Sequence, residues 1–431
     1  MERMYTIEHR IMEFNKSSDQ YRVVINDYSI YDHDRELQRN LLNADIAAGK
    51  IADLYMYGTG TSILYPIDNY KDMGLFADYF ELFENDGSAS PDILSPIVTT
   101  AFAENGKLYS MPWALSVETL AGKKSNFPAV GWTPIEMIEY SERLDDDQHM
   151  MIEMFRMLNQ SRVHWEYIDY ENKTTNFDDE NYKRMTEFRK NYDKISYDDM
   201  LFDMPRVEVD ALLRDDKLML KTAILHNFFQ LADLKNTMGE ELSFVGFPSI
   251  KGNYAYIDSG HYYSVSAKSS EGKTKGAWEF VKFILSDTTQ QRNYAQYTDD
   301  KHSFPVTQNM WKKLAQEALG STYAFLYPTG FGGSSFQVCS NPPTEDELAR
   351  VELLEKEYNA TATFVTLTKD DIDALESMMS HASPPFNDDE VVRKIIYDEL
   401  SPYTSGNTTK TYDEVTAIAK SRIELYLNER S

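Results

Sequence analysis

Cysteine is nearly absent from this sequence, because Cys339 is the only one among 431 residues. A single thiol cannot close an internal disulfide, which excludes a disulfide framework and any metal site built from several cysteines. The eight histidines are scattered, and no His-Glu-x-x-His sequence is present. We therefore expect neither a metal ion nor any other cofactor.

Positive charge is also scarce. The chain has 43 Lys and Arg residues against 70 Asp and Glu, a formal net charge of -27, and no basic block offsets it. A nucleic-acid backbone and an anionic membrane surface would both be repelled, so we expect no nucleic-acid partner. This balance is typical of a soluble protein with neutral or weakly cationic ligands.

Long apolar runs and catalytic motifs are missing as well. No run approaches the roughly 20 residues of a membrane span, and an amphipathic helix pattern follows Met1 directly, so no signal peptide is visible. Gly58-Thr59-Gly60 is too short for a dinucleotide fingerprint, and Ala267 stands where a phosphate loop ending in Gly272-Lys273-Thr274 needs glycine. No nucleophile elbow occurs. No pair of carboxylates is marked by its spacing, so no glycosidase site can be recognised.

Aromatic residues are abundant, with 29 Tyr and 22 Phe. The stretch 106–124, GKLYSMPWALSVETLAGKK, places Trp113 directly after Pro112. Proline fixes its own φ and favours extended geometry in the residue before it, so Trp113 is predicted on a stiff, strand-like segment. Such a segment suits the place where a chain crosses between two lobes. The alternative is an ordinary buried tryptophan on a core strand.

Several aromatics fall near predicted strand ends. Flat rings cover the apolar face of a sugar, while Asn, Asp, Glu and His side chains bind its hydroxyl groups. Core packing is the stronger interpretation for each ring alone, and a binding role gains support for the set. Its members are Tyr57, Trp113, Trp132, Phe228, Tyr262 and Tyr263.

Hydrophobic periodicity predicts alternating helices and strands along the first part of the chain. We expect a helix over 5–15, strands over 21–28 and 53–57, and from their alternation a parallel sheet. A helix over 133–144 is predicted to begin with Thr133 as N-cap and Pro134 at the first position. A strand over 218–225 leads to a strand-to-helix corner at 226–229. From Thr307 onward the chain is predicted to be mainly helical.

Several motifs, in this order, resemble a known family. GKLYSMPWALSVETLAGK resembles the first interlobe crossing of extracellular solute-binding proteins of ABC importers, the carbohydrate-binding, maltose-binding-like group. FVGFPSIKGNYAYIDSGHYYSVSAKS followed by KGAWEFVKFILSDTTQQ resembles the second crossing and its helix, and HSFPVTQNMW resembles the third. DDEVVRKIIYDELSPYTSGNTTKTYDEVTAIAKSRIELYLNE resembles the closing helices, and IMEFNKSSDQYRVVINDY the N-terminal helix and second strand.

The resemblance implies an α/β fold of the two-lobed periplasmic-binding-protein type (type II), with a helical C-terminal region. Lobe one would comprise 1–114 and 262–304, and lobe two 115–261 and 305–431, with crossings near 112–117, 258–264 and 303–307. It implies a monomeric binding protein, not an enzyme, that closes on a small solute. We expect this solute to be an oligosaccharide that is delivered to the transmembrane permease subunits of an ABC importer. The implied ligand contacts are Tyr57, Gly58, Trp113, Glu118, Asn227, Phe228, His261 and Tyr262.

Two parts of the family pattern are missing from this sequence, namely the leader with its lipid-anchoring cysteine and the first strand ahead of the initial helix. We expect a full-length form that is extracellular and anchored to the membrane as a lipoprotein. Three other functions stay open at this point. They are a glycoside hydrolase that uses the same aromatic residues, a binder of peptides or polyamines, and a scaffold without a ligand.

Overall fold

The computed structural model describes residues 2–28, 35–58, 67–151, 162–192, 206–295, 303–327, 335–383 and 389–429. Its helices are α1 Glu2–Ser17, α2 Arg35–Ala47, α3 Asp68–Asp72, α4 Tyr79–Asp86, α5 Pro96–Phe102, α6 Pro134–Ser141, α7 Arg162–Trp165, α8 Glu180–Tyr192, α9 Arg206–Arg214, α10 Phe228–Met238, α11 Glu271–Leu285, α12 Asp287–Ala295, α13 Gln308–Leu319, α14 Glu345–Tyr358, α15 Lys369–Ser380, α16 Glu390–Thr404 and α17 Tyr412–Glu429. Its strands are β1 Leu54–Tyr57, β2 Met111–Pro112, β3 Ser116–Lys123, β4 Ile168–Asp169, β5 Thr174–Thr175, β6 Leu220–Leu225, β7 Leu242–Phe244, β8 Ala255–Asp258, β9 Tyr262–Val265, β10 Ser321–Leu326, β11 Ser335–Ser340, β12 Thr363–Thr366 and β13 Ala382–Ser383.

The chain divides into two compact units, each assembled from separate stretches. The first unit takes Met1–Ser116 and Ile257–Leu314. The second takes Val117–Tyr256, Ala315–Ser383 and Asp389–Ser431. The chain therefore leaves the first unit after Ser116, returns to it after Tyr256 and leaves it again after Leu314.

The first unit has a three-stranded sheet in the order β1-β9-β2, and both pairings are antiparallel. The expected parallel sheet is wrong here, because β9, which arrives from late in the sequence, lies between the two earlier strands. The strand predicted over 21–28 is also wrong. The side chain of Asn15 donates to the Val23 carbonyl and accepts from the Val23 N–H, which occupies both groups that a strand ladder would use.

The helices of the first unit bury their apolar faces on this sheet and on one another. The helix predicted over 5–15 is confirmed as α1, in which Phe14 packs edge-on against Phe280 of α11. Tyr79 is completely buried at the start of α4, and its hydroxyl donates to the Tyr263 carbonyl of β9. Burial of large aromatics such as these is worth roughly 1.5–3 kcal/mol each, so this contact fixes α4 on the sheet.

The second unit is built around β3, which pairs antiparallel with both β6 and β7 in a five-stranded sheet. The sheet continues from β3 through β8 to β13, and β8 and β13 run parallel. Gly122 allows close packing on β3, because a Cβ atom at this position would lie 2.8–2.9 Å from Phe127, Leu220 and Met219. The helix predicted over 133–144 is confirmed as α6, with a capping box at Thr133 and Pro134 in its first turn.

The C-terminal third contains a sheet that the sequence did not predict. Strands β11-β10-β12 form an antiparallel sheet within the stretch expected to be mainly helical. The apolar run of β10 has no period-2 alternation, and such a run cannot be distinguished from a buried helix by periodicity alone. One face of this sheet is covered by α14, where Ala324, Cys339 and Val351 form a buried cluster. The helices α15, α16 and α17 then complete the unit as predicted.

Candidate functional site

Three short segments of the first unit lie together where the chain enters and leaves it. Leu115 and Phe304 exchange two backbone hydrogen bonds of 2.8 Å each. The Trp113 N–H donates to the His261 carbonyl at 3.0 Å, and the Ser116 hydroxyl donates to the Asp258 carbonyl at 3.1 Å. These bonds join segments that are far apart in sequence. Those made by the backbone of Trp113 and Leu115 hold the segment that carries the indole from two sides.

The middle segment is a tight turn between β8 and β9. Oδ1 of Asp258 accepts from the N–H groups of Ser259 at 2.6 Å and Gly260 at 2.8 Å, and from the Tyr262 hydroxyl at 3.2 Å. Gly260 has a φ of +68°, which glycine adopts without steric cost. Reasoning from the sequence missed Asp258 and Ser259 as structural residues, although Asp-Ser-Gly between two strands is a recognisable turn signal.

Trp113 is the half-buried member of the predicted aromatic set. Its ring lies 5.9 Å from that of Tyr263, which supports one side of the indole. The core interpretation holds for the other members, whose exposed fractions are 8 % or less: Tyr57, Trp132, Phe228, Tyr262 and Tyr263. Within this set, the indole of Trp113 is therefore the ring whose surface is accessible enough to contact a solute.

Tyr57 and Tyr262 brace the interior of the first unit. The Tyr57 hydroxyl hydrogen-bonds to the hydroxyls of Ser110 and Ser264, and its ring stacks at 5.7 Å on that of Tyr262. Gly58 directly follows β1, and a Cβ atom at this position would lie 2.9 Å from the Gly260 carbonyl oxygen. A larger residue at position 58 would push the turn away, so this glycine is required by close backbone approach. His261 lies half-buried on that turn.

The strand-to-helix corner of the second unit is present as predicted. Asn227 is buried and caps α10, its side-chain oxygen accepting from the Gln230 N–H at 2.8 Å. Phe228 is completely buried at the first position of that helix. Local structure thus accounts for both residues. Glu118 is half-buried on β3 opposite Ile224, which is 52 % exposed, so the carboxylate lies on an open part of the sheet.

Two ionisable groups of the second unit have shifted pKa values, and neither was among the residues predicted from the sequence. Burial raises the pKa of Glu166, whose carboxylate accepts from the Ser249 hydroxyl and the Ile250 N–H. Burial lowers the pKa of His164 to about 3, and the positive charge of Arg189 adds to this effect. A buried, neutral His164 cannot act as a cation, so both groups serve the architecture of the unit.

Neither a cluster of metal-ligating side chains nor a membrane-spanning helix occurs among the described residues. Within these ranges, no three or more His, Cys, Asp or Glu side chains are grouped so that they could hold a metal ion. Among the helices described, none combines the length and the apolar character needed to cross a bilayer.

The fold defines the class of protein. An ABC substrate-binding protein from Listeria monocytogenes, in complex with cycloalternan, is similar over 98 % of this chain and 96 % of its own, with 15 % identity and a TM-score of 0.52. The sugar-binding protein MalE from Xanthomonas citri is similar over 99 % of this chain and 95 % of its own, with 12 % identity and a TM-score of 0.55. A solute-binding protein from Thermotoga lettingae, bound with α-D-tagatose, covers 99 % and 96 % with 12 % identity and a TM-score of 0.51. This chain therefore has the two-lobed α/β fold of solute-binding proteins.

The family is shown by sequence. The family model of bacterial extracellular solute-binding proteins matches residues 10–316, and the chain belongs to that family. No curated protein matches the sequence. The resemblance inferred from the order of the motifs is thereby confirmed.

Proposed function

We propose that this protein binds a small neutral sugar, an oligosaccharide in particular, and presents it to the permease subunits of an ABC importer. The observation that carries this proposal is the half-buried indole of Trp113 on a backbone that two other segments hold in place. Membership of the solute-binding family supports it. Sugars are also what the similar structures from Listeria, Xanthomonas and Thermotoga are described as binding.

An indole suits a sugar for a physical reason. The ring buries the apolar C–H face of a pyranose, while nearby polar groups hydrogen-bond to its hydroxyls. In the first unit His261 is half-buried beside Trp113, and its carbonyl already accepts the Trp113 N–H. In the second unit Glu118 is the half-buried acidic candidate. Of the eight expected contacts, we therefore propose that Trp113, His261 and Glu118 touch the solute. The other five residues are proposed to support these three.

Isothermal titration calorimetry tests the proposal. We expect heat of binding with at least one of maltotriose, cellotriose, xylotriose and chitotriose. Trp113→Ala should weaken that binding about tenfold or more, because a stacked aromatic contact is lost together with its buried area. Trp113→Phe should retain most of the affinity, since a flat ring remains.

A matched control is Tyr397→Ala, which removes an aromatic side chain that is 69 % exposed on α16. Its affinity should equal that of the wild type, and thermal melting should show that every variant is folded. If the wild type gives heat with none of these sugars, the proposal fails. If Trp113→Ala and Tyr397→Ala bind equally well, Trp113 is not the contact residue.

We further propose that the bound sugar is released unchanged, that the protein is a monomer, and that its full-length form is anchored outside the cell as a lipoprotein. Incubation with chromogenic glycosides should release no dye, and dye release would identify a glycoside hydrolase.

Two further points stay predictions from the sequence. They are the lobe boundaries near 114, 261 and 304, and closure of the lobes on a solute by a hinge motion. Their measurement is a ligand-induced decrease of the radius of gyration in small-angle scattering.

A further inference from the structure

Ser259 lies on the β8–β9 turn and contacts the backbone of Trp113 directly. Its Oγ accepts from the N–H of Trp113 at 2.8 Å and from the N–H of Ala114 at 3.2 Å. The same hydroxyl donates to the His261 carbonyl at 2.5 Å. A serine hydroxyl has one proton and two lone pairs, so these three hydrogen bonds use its full capacity.

These bonds restrict the two peptide units that determine where the Trp113 side chain lies. Pro112, the residue before Trp113, already has its own φ angle fixed by its ring. The amides of Trp113 and Ala114 are then tied to Ser259, and Trp113 is tied again to the His261 carbonyl. The orientation of the indole therefore depends on a hydroxyl that follows it by 146 positions.

Ser259 is itself held in place by its neighbours on the turn. Its N–H donates to Oδ1 of Asp258 at 2.6 Å and to the Tyr262 hydroxyl at 2.9 Å. Tyr262 is 3 % exposed and stacks on Tyr57, so the turn is anchored in the core of the first unit. Preorganisation of this kind lowers the entropy lost when a side chain engages a ligand.

We propose that Ser259 is a positioning residue that holds the Trp113 ring in the place where it receives the solute. The inference rests on the proposed function of Trp113 and adds a residue that does not itself touch the solute. Because Ser259 acts through the backbone, its hydroxyl matters and its size does not. Threonine at position 259 should serve, whereas alanine should not.

The test compares Ser259→Ala, Ser259→Thr and Ser116→Ala. Ser116 is the matched control, because its hydroxyl also joins these two segments but donates to the Asp258 carbonyl and leaves the Trp113 amide untouched. The first readout needs no ligand and is the acrylamide quenching of tryptophan fluorescence. Trp113 dominates the quenchable fluorescence, because the other four tryptophans are 8 % exposed or less: Trp132, Trp165, Trp278 and Trp311. The same measurement in a Trp113→Phe background identifies the part of the signal that comes from Trp113.

We expect Ser259→Ala to raise the quenching constant about twofold. It should also weaken, about tenfold, the binding of whichever of the four trisaccharides the wild type binds most tightly, since two hydrogen bonds to backbone amides are lost. Ser259→Thr should restore both values, and Ser116→Ala should leave both unchanged. If Ser259→Ala does not accumulate as a folded protein, Ser259→Cys keeps the size with a weaker acceptor and should change both readouts in the same direction.

The two proposals can fail separately. If the wild type binds one of the four trisaccharides and Ser259→Ala leaves the quenching constant unchanged, the positioning role of Ser259 is overturned. The proposed function then still stands. Equal losses of affinity in Ser259→Ala and Ser116→Ala would mean that both variants only weaken the turn in general. This outcome also overturns the positioning role of Ser259. A wild-type protein that binds none of the four trisaccharides overturns the proposed function, and with it the functional part of this inference.

Discussion

His164 is enclosed in the second unit, where its Nδ1 lies 2.9 Å from the Tyr182 hydroxyl. Tyr182 is fully buried, and its ring stacks on Phe177 and packs edge-on against Tyr167. Removing an imidazolium from water is costly, so burial first and the charge of Arg189 second lower the pKa of His164 to about 3. Folding therefore keeps this side chain neutral.

The stability of the protein should consequently depend on pH through His164. In the unfolded chain the pKa of histidine is about 6.5, so between pH 6.5 and about 3 only the unfolded state takes up the proton. The stabilising contribution is complete above pH 6.5 and decreases as the pH falls. At about pH 5 the loss should reach about 2 kcal/mol in the free energy of unfolding.

Urea unfolding of the wild type and of His164→Gln at about pH 7 and about pH 5 measures this effect. The stability difference between the two proteins should change by about 2 kcal/mol in favour of the variant at the lower pH, because glutamine cannot be protonated. Tyr182→Phe is the control. It leaves the imidazole buried and should keep the wild-type pH dependence. A difference between wild type and His164→Gln that is equal at both pH values would contradict the assignment.

Residue type alone was a weak guide to the site. Five of the six aromatics chosen near strand ends are core residues, and only Trp113 is half-buried. A tyrosine or phenylalanine at a strand end fits a core and a binding surface equally well, and the sequence does not record which side of the strand is covered. The contact of Ser259 with Trp113 could not be predicted either, since the amides of Trp113 and Ala114 are about 145 positions away in the chain.

Among the secondary-structure elements, those with local signals were predictable. Thr133 was expected as the N-cap of a helix that begins with Pro134, and α6 begins there. The Thr133 hydroxyl accepts from the Glu136 N–H at 3.2 Å, and the Glu136 carboxylate accepts from the Thr133 N–H at 2.7 Å. Both partners lie within four residues, so the motif can be recognised without knowledge of the fold.

Thr133→Ala should lower the free energy of unfolding by about 1 kcal/mol, because one backbone N–H of the first turn loses its acceptor. Thr133→Ser should stay within a few tenths of a kcal/mol of the wild type. Chemical denaturation of the three proteins measures the difference. A destabilisation as large in Thr133→Ser as in Thr133→Ala would show that the methyl group, and not the cap, carries the effect.

Strands were less predictable because their partners are distant. Hydrophobic periodicity predicted a strand over 21–28, but Asn15 binds the Val23 backbone groups and no ladder forms. The run of β10 is a strand only because β11 and β12 lie on either side of it. Pairing is therefore a tertiary property, and strand propensity measures how well a residue fits such a surface once that surface exists.

At the scale of the whole molecule, the order of the motifs was more informative than any motif alone. Each quoted stretch is a loose match, but stretches that occur in the family's order along 431 residues predicted the two-lobed α/β class. Both units are discontinuous in sequence, with chain passages after Ser116, Tyr256 and Leu314. Because of this interleaving, the conformation of each crossing segment depends on residues far from it in the chain. The contacts around Trp113 therefore follow from the fold and not from the local sequence.

Net charge gives the last prediction, because it separates a sugar from a cationic ligand. A formal charge of -27 without a basic block surrounds the protein with negative potential. A neutral sugar gains nothing from this potential, whereas a polyamine is attracted by it, and salt screens that attraction over a Debye length of about 10 Å at 0.1 M. Maltotriose and spermidine should therefore respond differently to ionic strength.

Calorimetric titrations at about 20 mM and about 300 mM NaCl measure this response, since the two concentrations span weak and strong screening. The affinity for maltotriose should stay within about twofold, and Trp113→Ala should weaken it to the same degree at both concentrations. Spermidine should show at most weak binding that fades at the higher concentration. Tight spermidine binding that depends on Trp113 and falls about tenfold or more with salt would instead identify the solute as a polyamine, held by a cation–π contact with the indole.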